Sequence, residues 1–138
     1  MRLRGLIDTS ALVALVDAND QWHAACVEAA AGMDYPLATT AAALAEFFHH
    51  RGQPLHRLQA AWRLARSRSI KVLPIEDGDL PELERLMLKY ADTPMDFADA
   101  TLVRLAEREG LTTILTVDRD FEVYRIGGRK AFRVLPKR

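Results

Sequence analysis

Apolar residues recur along this chain in two alternating patterns. Short apolar runs stand at residues 3–7, 35–38, 70–74, 112–117 and 131–135, the fourth strongly β-branched, as buried strands should be. Between them lie stretches with helical start and stop signals. The first follows Asp8, with Thr9 and Ser10 as candidate N-caps, and runs to Val16. An Ala-rich helix is expected over 20–31, stopping at Gly32, and another over 41–50, capped by Thr39 or Thr40 and ending at Gly52. Further helices are expected over 54–67, over 77–90 with Asp77 or Asp79 as cap and Pro81 in the first turn, and over 97–109 before Gly110. Strands that alternate with helices predict an α/β fold with a parallel sheet covered on both faces. No repeat, linker or low-complexity segment interrupts the pattern.

The length, 138 residues, suits one domain over 1–138, large enough to need neither disulfide nor structural metal. The single cysteine, Cys26, excludes an internal disulfide framework and a Cys-rich zinc site, and reads as a small core residue. No apolar stretch approaches the roughly 20 residues that span a bilayer, and Asp8 falls where a signal peptide needs its apolar region. A soluble, cytoplasmic protein with no membrane partner is expected.

Nineteen Lys and Arg balance nineteen Asp and Glu, and a net charge of zero argues at first against a nucleic-acid partner. The charges are segregated, however. No acid lies between Phe47 and Ile75, where Arg51, Arg57, Arg63, Arg66, Arg68 and Lys71 supply six cations. A second basic segment follows Asp118, and between the two, eleven acids face four cations. The ordinary meaning of such runs is a solvated helix face; the other is a polyanion-binding surface flanking an acidic site.

In open α/β sheets the functional crevice lies beyond the carboxyl ends of the strands. Asp8 and Asp118 each follow a strand, a position equally suited to a helix cap or turn. Glu46 interrupts the apolar run Ala41 to Phe48, either on a solvent face or held in a partly buried site. Asp96 and Asp99 share one face at a helix start, where acids also favour the helix dipole. Carboxylates gathered in one crevice repel by about 4 kcal/mol per pair at ~4 Å for an effective dielectric near 20. A hard divalent cation relieves this, and sparse all-oxygen donors suit Mg²⁺ or Mn²⁺. Such ions assist phosphodiester hydrolysis.

These residues resemble the PIN-domain family, and within it the VapC-like toxins. The matching pieces are Leu6 to Ala11 around Asp8, then Glu46, then Met95, Asp96, Phe97, Ala98, Asp99 and Ala100, and finally Thr116 to Phe121 around Asp118. The four pieces together, in order and over nearly the whole chain, are specific where each alone is weak. The resemblance implies a Rossmann-like three-layer α/β/α sandwich with a mostly parallel five-stranded sheet. It implies a Mg²⁺- or Mn²⁺-dependent endoribonuclease, neutralised by a cognate antitoxin and usually homodimeric. By position, Asp8, Glu46, Asp99 and Asp118 match the catalytic, metal-binding acids, with Asp96 as a supporting or alternative ligand. The hydroxyls of Thr9, Ser10 and Thr116 would orient these carboxylates, although capping serves Thr9 and Ser10 as well. Arg119 and Arg125 are candidate RNA-phosphate contacts, and equally solvated residues or antitoxin contacts.

Two other functions fit an α/β sheet with an acid after its first strand. An aspartate-based phosphotransfer domain, receiver or phosphatase-like, would want a second acid where Ser10 stands or a Lys where Asp118 stands. A non-catalytic RNA-binding protein need not fill all four acid positions. The RNA itself (transfer, ribosomal or messenger), the metal count and the dimer geometry are not written in the chain. Zero net charge predicts weak binding to bulk RNA, hence cleavage selective for a particular one. His23, His49, His50 and His56, and the two tryptophans Trp22 and Trp62, are assigned no site.

Overall fold

The computed structural model describes residues 3–33, 36–49 and 54–137. Its centre is β1 (Gly5–Ile7), flanked by β2 (Leu37–Thr39) and β4 (Thr113–Leu115), with β3 (Ile70–Val72) and β7 (Arg133–Leu135) outside. All four pairings are parallel, and Leu6 lies beside Ala38 and Ile114. Alternate side chains leave opposite faces of the sheet. Leu6 and Ile114 pack with α5 (Leu80–Lys89) and α6 (Phe97–Glu109), while Ile7 and Leu115 pack with α1 (Thr9–Val16), α2 (His23–Ala31) and α4 (Leu55–Ala65). Helix α3 (Ala41–Phe48) bridges them, sending Ala43 into the first core and Phe47 into the second. The result is the three-layer α/β/α sandwich. Gly5 is required where it stands, because a Cβ would come within 3.0 Å of the Thr113 carbonyl oxygen on the adjacent strand.

Several expectations shift. Strand β2 begins at Leu37, Tyr35 lying outside the described residues, so Thr39 ends the strand and Thr40 is the cap, its Oγ1 accepting from the Ala43 amide at 3.2 Å. Helix α3 ends at Phe48 with His49 as its C-cap, short of the expected 50, and Gly52 lies outside the described residues. Helix α2 starts at His23 because 20–22 are turns, with the Trp22 amide donating to Asp20 Oδ1 at 2.8 Å. The expected helix 77–90 opens as a 3-10 turn at Asp77–Asp79, and the Asp79 carboxylate takes Arg104 and Arg108 at 2.8 and 2.7 Å. At 4% exposure a carboxylate needs charged partners, and those it finds lie on α6. The expected strand 131–135 is divided. Residues 130 and 131 form β6 (Lys130–Ala131), paired antiparallel with β5 (Arg125–Ile126). Gly127 and Gly128 turn that hairpin at φ values of 61° and 78°, a local signal that the apolar pattern alone does not contain.

Cys26 is fully buried. Trp62 is 53% exposed on α4, its ring 4.5 Å from that of Phe48. Among the described residues no helix is long and apolar enough to cross a membrane.

Candidate active site

The parallel register sets Ile7 beside Leu115, and the Asp8 amide continues the ladder by donating to the Leu115 carbonyl at 3.1 Å. The next residues on the two strands, Asp8 and Thr116, are therefore neighbours at the carboxyl edge of the sheet. Asp8 occupies the N-cap position of α1 but makes no capping bond with its side chain. Its Oδ2 instead accepts from Thr116 Oγ1 at 2.8 Å and from Ser10 Oγ at 3.1 Å. Ser10 Oγ in turn accepts the Val117 amide at 3.0 Å, and Thr116 Oγ1 accepts the Asp118 amide at 3.0 Å. Ser10 and Thr116 thus act on Asp8 and on the following strand end. Thr9 turns the other way, donating to the Ala43 carbonyl at 2.9 Å and tying α1 to α3.

At the start of α6, Asp96 Oδ1 accepts the Asp99 amide at 2.8 Å and Asp99 Oδ2 takes the Asp96 amide at 3.4 Å. Asp96 is thus an exposed cap, while Asp99, 8% exposed, faces inward and receives the Tyr124 hydroxyl on Oδ2 at 3.1 Å. Asp118 Oδ1 accepts the Asp120 amide at 2.9 Å and opens the 3-10 turn Arg119–Glu122. A buried hydroxyl pair, Thr40 and Thr101 at 2.9 Å, joins the start of α3 to α6.

The acids feel one another. Burial pushes the Asp8 carboxyl up, and Asp118 adds to it, against the opposing bonds of Thr116, Thr9 and Ser10. Asp99 is raised to about 7, by burial first and then by Asp96, Asp8 and Asp118. Glu46, an exposed residue on α3, is raised to about 7 by desolvation of its carboxyl and then by Asp96 and Asp8. So Glu46, on a helix otherwise distant in sequence, shares the field of Asp8 at the end of β1 and of Asp96 at the start of α6. Asp120, which the sequence did not single out, joins the rim. Its carboxyl is raised by burial and then by Asp118 and Asp96.

Among the described residues no three Asp, Glu, His or Cys side chains are arranged to hold a metal ion by themselves. The donor chemistry nonetheless fits a hard cation: the donors are all oxygen, and burial first and neighbouring acids second raise Asp8, Glu46 and Asp99, a cost of gathered negative charge that a cation would relieve. An ion that keeps several waters asks for few protein ligands.

Arg119 is exposed beside Asp118. Arg125 is committed to the fold, its Nη1 donating to the carbonyls of Glu122, Val123 and Tyr124 at 2.8, 3.1 and 3.1 Å. Arg133 pairs with Thr113 at the amino edge of the sheet, so the second basic segment does not form one surface at the crevice.

A PIN-domain model matches residues 5–127. This chain belongs to the PIN-domain family. Over 146 aligned residues it is 33% identical to Ribonuclease VapC26 of Mycobacterium tuberculosis, covering 95% of this chain and 99% of that protein. Its fold matches the crystal structure of VapC20 from the same organism, described as a sarcin-ricin loop cleaving toxin, with a TM-score of 0.77 at 20% identity over 86% of this chain and 93% of that one. It also matches PAE2754 of Pyrobaculum aerophilum, with a TM-score of 0.61 at 23% identity over 88% and 78% of the two chains. The PIN domain's α/β/α architecture is the one described above, with Asp8, Asp99 and Asp118 at the carboxyl side of the sheet.

Proposed function

We propose that this PIN-domain protein is a divalent-metal-dependent endoribonuclease of the VapC-like toxin kind, with Asp8, Glu46, Asp99 and Asp118 as its catalytic acids. The observation that carries the reading is the mutual field of these carboxylates. Asp99 and Glu46 are each raised to about 7, with other acids of the set among the causes. Structural acids are normally paired with cations, as Asp79 is with Arg104 and Arg108; Asp8, Asp99 and Asp118 are paired with hydroxyls and backbone amides. A set of acids that repel and have no cationic partner among the described residues is suited to receiving one.

Mg²⁺ or Mn²⁺ would be held by Asp8, Asp99 and Asp118, with Glu46 and Asp96 as further ligands, partly through water. When bound, the ion supplies Lewis acidity toward the phosphate and a lowered pKa for a water molecule. The chain's own part is orientation. Thr116 and Ser10 set the plane of Asp8, and the amides of Asp96 and Asp99 set the start of α6. Glu46 would bind a second ion or position the incoming water. Arg119, exposed next to Asp118, is the candidate phosphate contact, a role for which Arg125 is less available.

The RNA substrate, a cognate antitoxin as regulator and a homodimeric state follow from the likeness to VapC proteins. Phosphotransfer on Asp8 is the weaker reading, because no Lys stands at position 118 and no acid at position 10. The test is Asp8→Asn in a nuclease-free preparation with Mg²⁺ or Mn²⁺: RNA cleavage should fall at least a hundredfold, and cleavage at the unmutated rate would sink the assignment. Expression of the wild type should arrest growth and expression of the variant should not.

A further inference from the structure

Tyr124 is one of the largest fully buried side chains of the protein, and its polar end is aimed at the acids. Its ring meets Tyr90 and Phe121 edge-on, with centroids 5.1 Å apart in both pairs. Such a cage leaves the ring little rotational freedom. The hydroxyl donates to Asp99 Oδ2 at 3.1 Å. The longer bond from the Asp96 amide, 3.4 Å, falls on the same oxygen. Among the described residues, no hydrogen bond falls on Asp99 Oδ1. The terminal torsion of an aspartate is soft, so two bonds on one oxygen are what decide where the other points.

Tyr90 makes a useful contrast. It is 8% exposed and shares the same cage, but its hydroxyl accepts the backbone amide of Arg125 at 3.0 Å and, among the described residues, bonds to no carboxylate. Each tyrosine therefore satisfies its buried hydroxyl, and the partners differ in kind.

We propose that Tyr124 is a positioning residue for Asp99, holding Oδ2 so that Oδ1 is presented to the crevice as a cation ligand. The proposal rests on Asp99 being a metal-binding acid. It extends the site by a residue from beyond the fourth acidic motif, contributed by the turn that leads into β5. Groups that orient metal-ligating carboxylates typically govern affinity by 10-fold to 100-fold.

The experiment measures Mn²⁺ binding to the full chain by electron paramagnetic resonance of the free ion, with melting temperature as a fold check. Tyr124→Phe keeps the ring and removes the donor, and is expected to weaken Mn²⁺ binding about tenfold while shifting the melt by a few degrees. Tyr90→Phe is expected to bind Mn²⁺ as the wild type does. A fluorotyrosine at position 124, which keeps the ring and makes the O–H a stronger donor, is expected to keep the fold and to shift Mn²⁺ affinity; it carries the test if the phenylalanine variant fails to fold, and an affinity equal to that of the wild type would then overturn the proposal. Asp99→Asn separates the ligand role from the positioning role. If it abolishes binding while Tyr124→Phe has no effect, Asp99 remains a ligand and the positioning role is overturned. If neither variant changes binding, Asp99 is not a ligand and the proposal falls with that reading. Equal loss in both tyrosine variants would assign the effect to the cage rather than to the hydroxyl, and would also overturn the proposal.

Discussion

The Thr116 hydroxyl donates to Asp8 Oδ2 at 2.8 Å, joining residues 108 positions apart in the chain. The same hydroxyl oxygen accepts the Asp118 amide at 3.0 Å, so one side chain aligns the first acid and the backbone of the fourth. The link exists because β1 and β4 are adjacent and parallel, which brings the two strand ends into register.

Thr116→Val keeps the shape and removes both roles of the hydroxyl. Metal-dependent RNA cleavage should fall by roughly 10-fold to 100-fold. Leaving the Asp118 amide without its partner should cost about 1 kcal/mol of stability, read by urea denaturation. Unchanged cleavage would show that the Thr116 hydroxyl is not needed to orient Asp8, Ser10 sufficing.

Glu46→Gln should stabilise the metal-free protein, and more so at pH 8 than at pH 5. The folded carboxyl titrates at about 7 against an ordinary value of 4.5. Between these values the native state holds a proton that the unfolded chain has released, so stability falls as pH rises through the folded pKa. The neutral amide escapes that loss. Melting curves at the two pH values are the measurement, and an equal shift at both would contradict desolvation and acid repulsion as the cause.

Asp79→Asn acts in the opposite direction. The Asp79 carboxyl is held below its ordinary 3.8, by the Glu76 amide first and then by Arg104 and Arg108. The stability it contributes is present above that ordinary value and is lost as pH falls through the lower folded one. Removing the charge from this buried position should cost about 3 kcal/mol at pH 7, since two guanidinium groups lose their anion. The gap between variant and wild type should narrow in strong acid, and a pH-independent gap would rule out the linkage.

Arg119 and Arg125 should separate binding from folding. Arg119→Ala should weaken RNA binding at every sequence tested and reduce the slope of log affinity against log salt by about 1, without altering the melt. Arg125→Ala should lower stability by about 1 kcal/mol, because three carbonyls at the end of the 3-10 turn lose a shared donor. A salt-slope change in Arg125→Ala as large as in Arg119→Ala would reverse the two assignments.

Asp8 and Asp118 were legible as candidates because both follow apolar runs recognisable as buried strands. The place of Asp96 at a helix start was legible from the sequence, and the structure makes it the cap of α6. Asp79 reads locally as a cap, because spacing cannot show that Arg104 and Arg108, 25 and 29 residues away, reach it across α5 and α6. Tyr124 carried no local signal either, since a tyrosine three residues from Phe121 reads as core. The β5–β6 hairpin was signalled by Gly127 and Gly128, but the apolar run at its end hid the break.

The alternation of strands and helices and the parallel character of the sheet were determined by the chain alone, since periodicity and turn residues act over a few positions, and the same chain offered Asp8, Glu46, Asp99 and Asp118 as candidate acids. Tertiary structure decided which oxygen of each acid is held, which arginine is committed to the fold, and that Glu46 shares a field with Asp8 and Asp96. Those are relations between residues far apart in sequence, created when strands pair and helices dock, and no local pattern of hydrophobic and polar residues encodes the angle at which a side chain arrives.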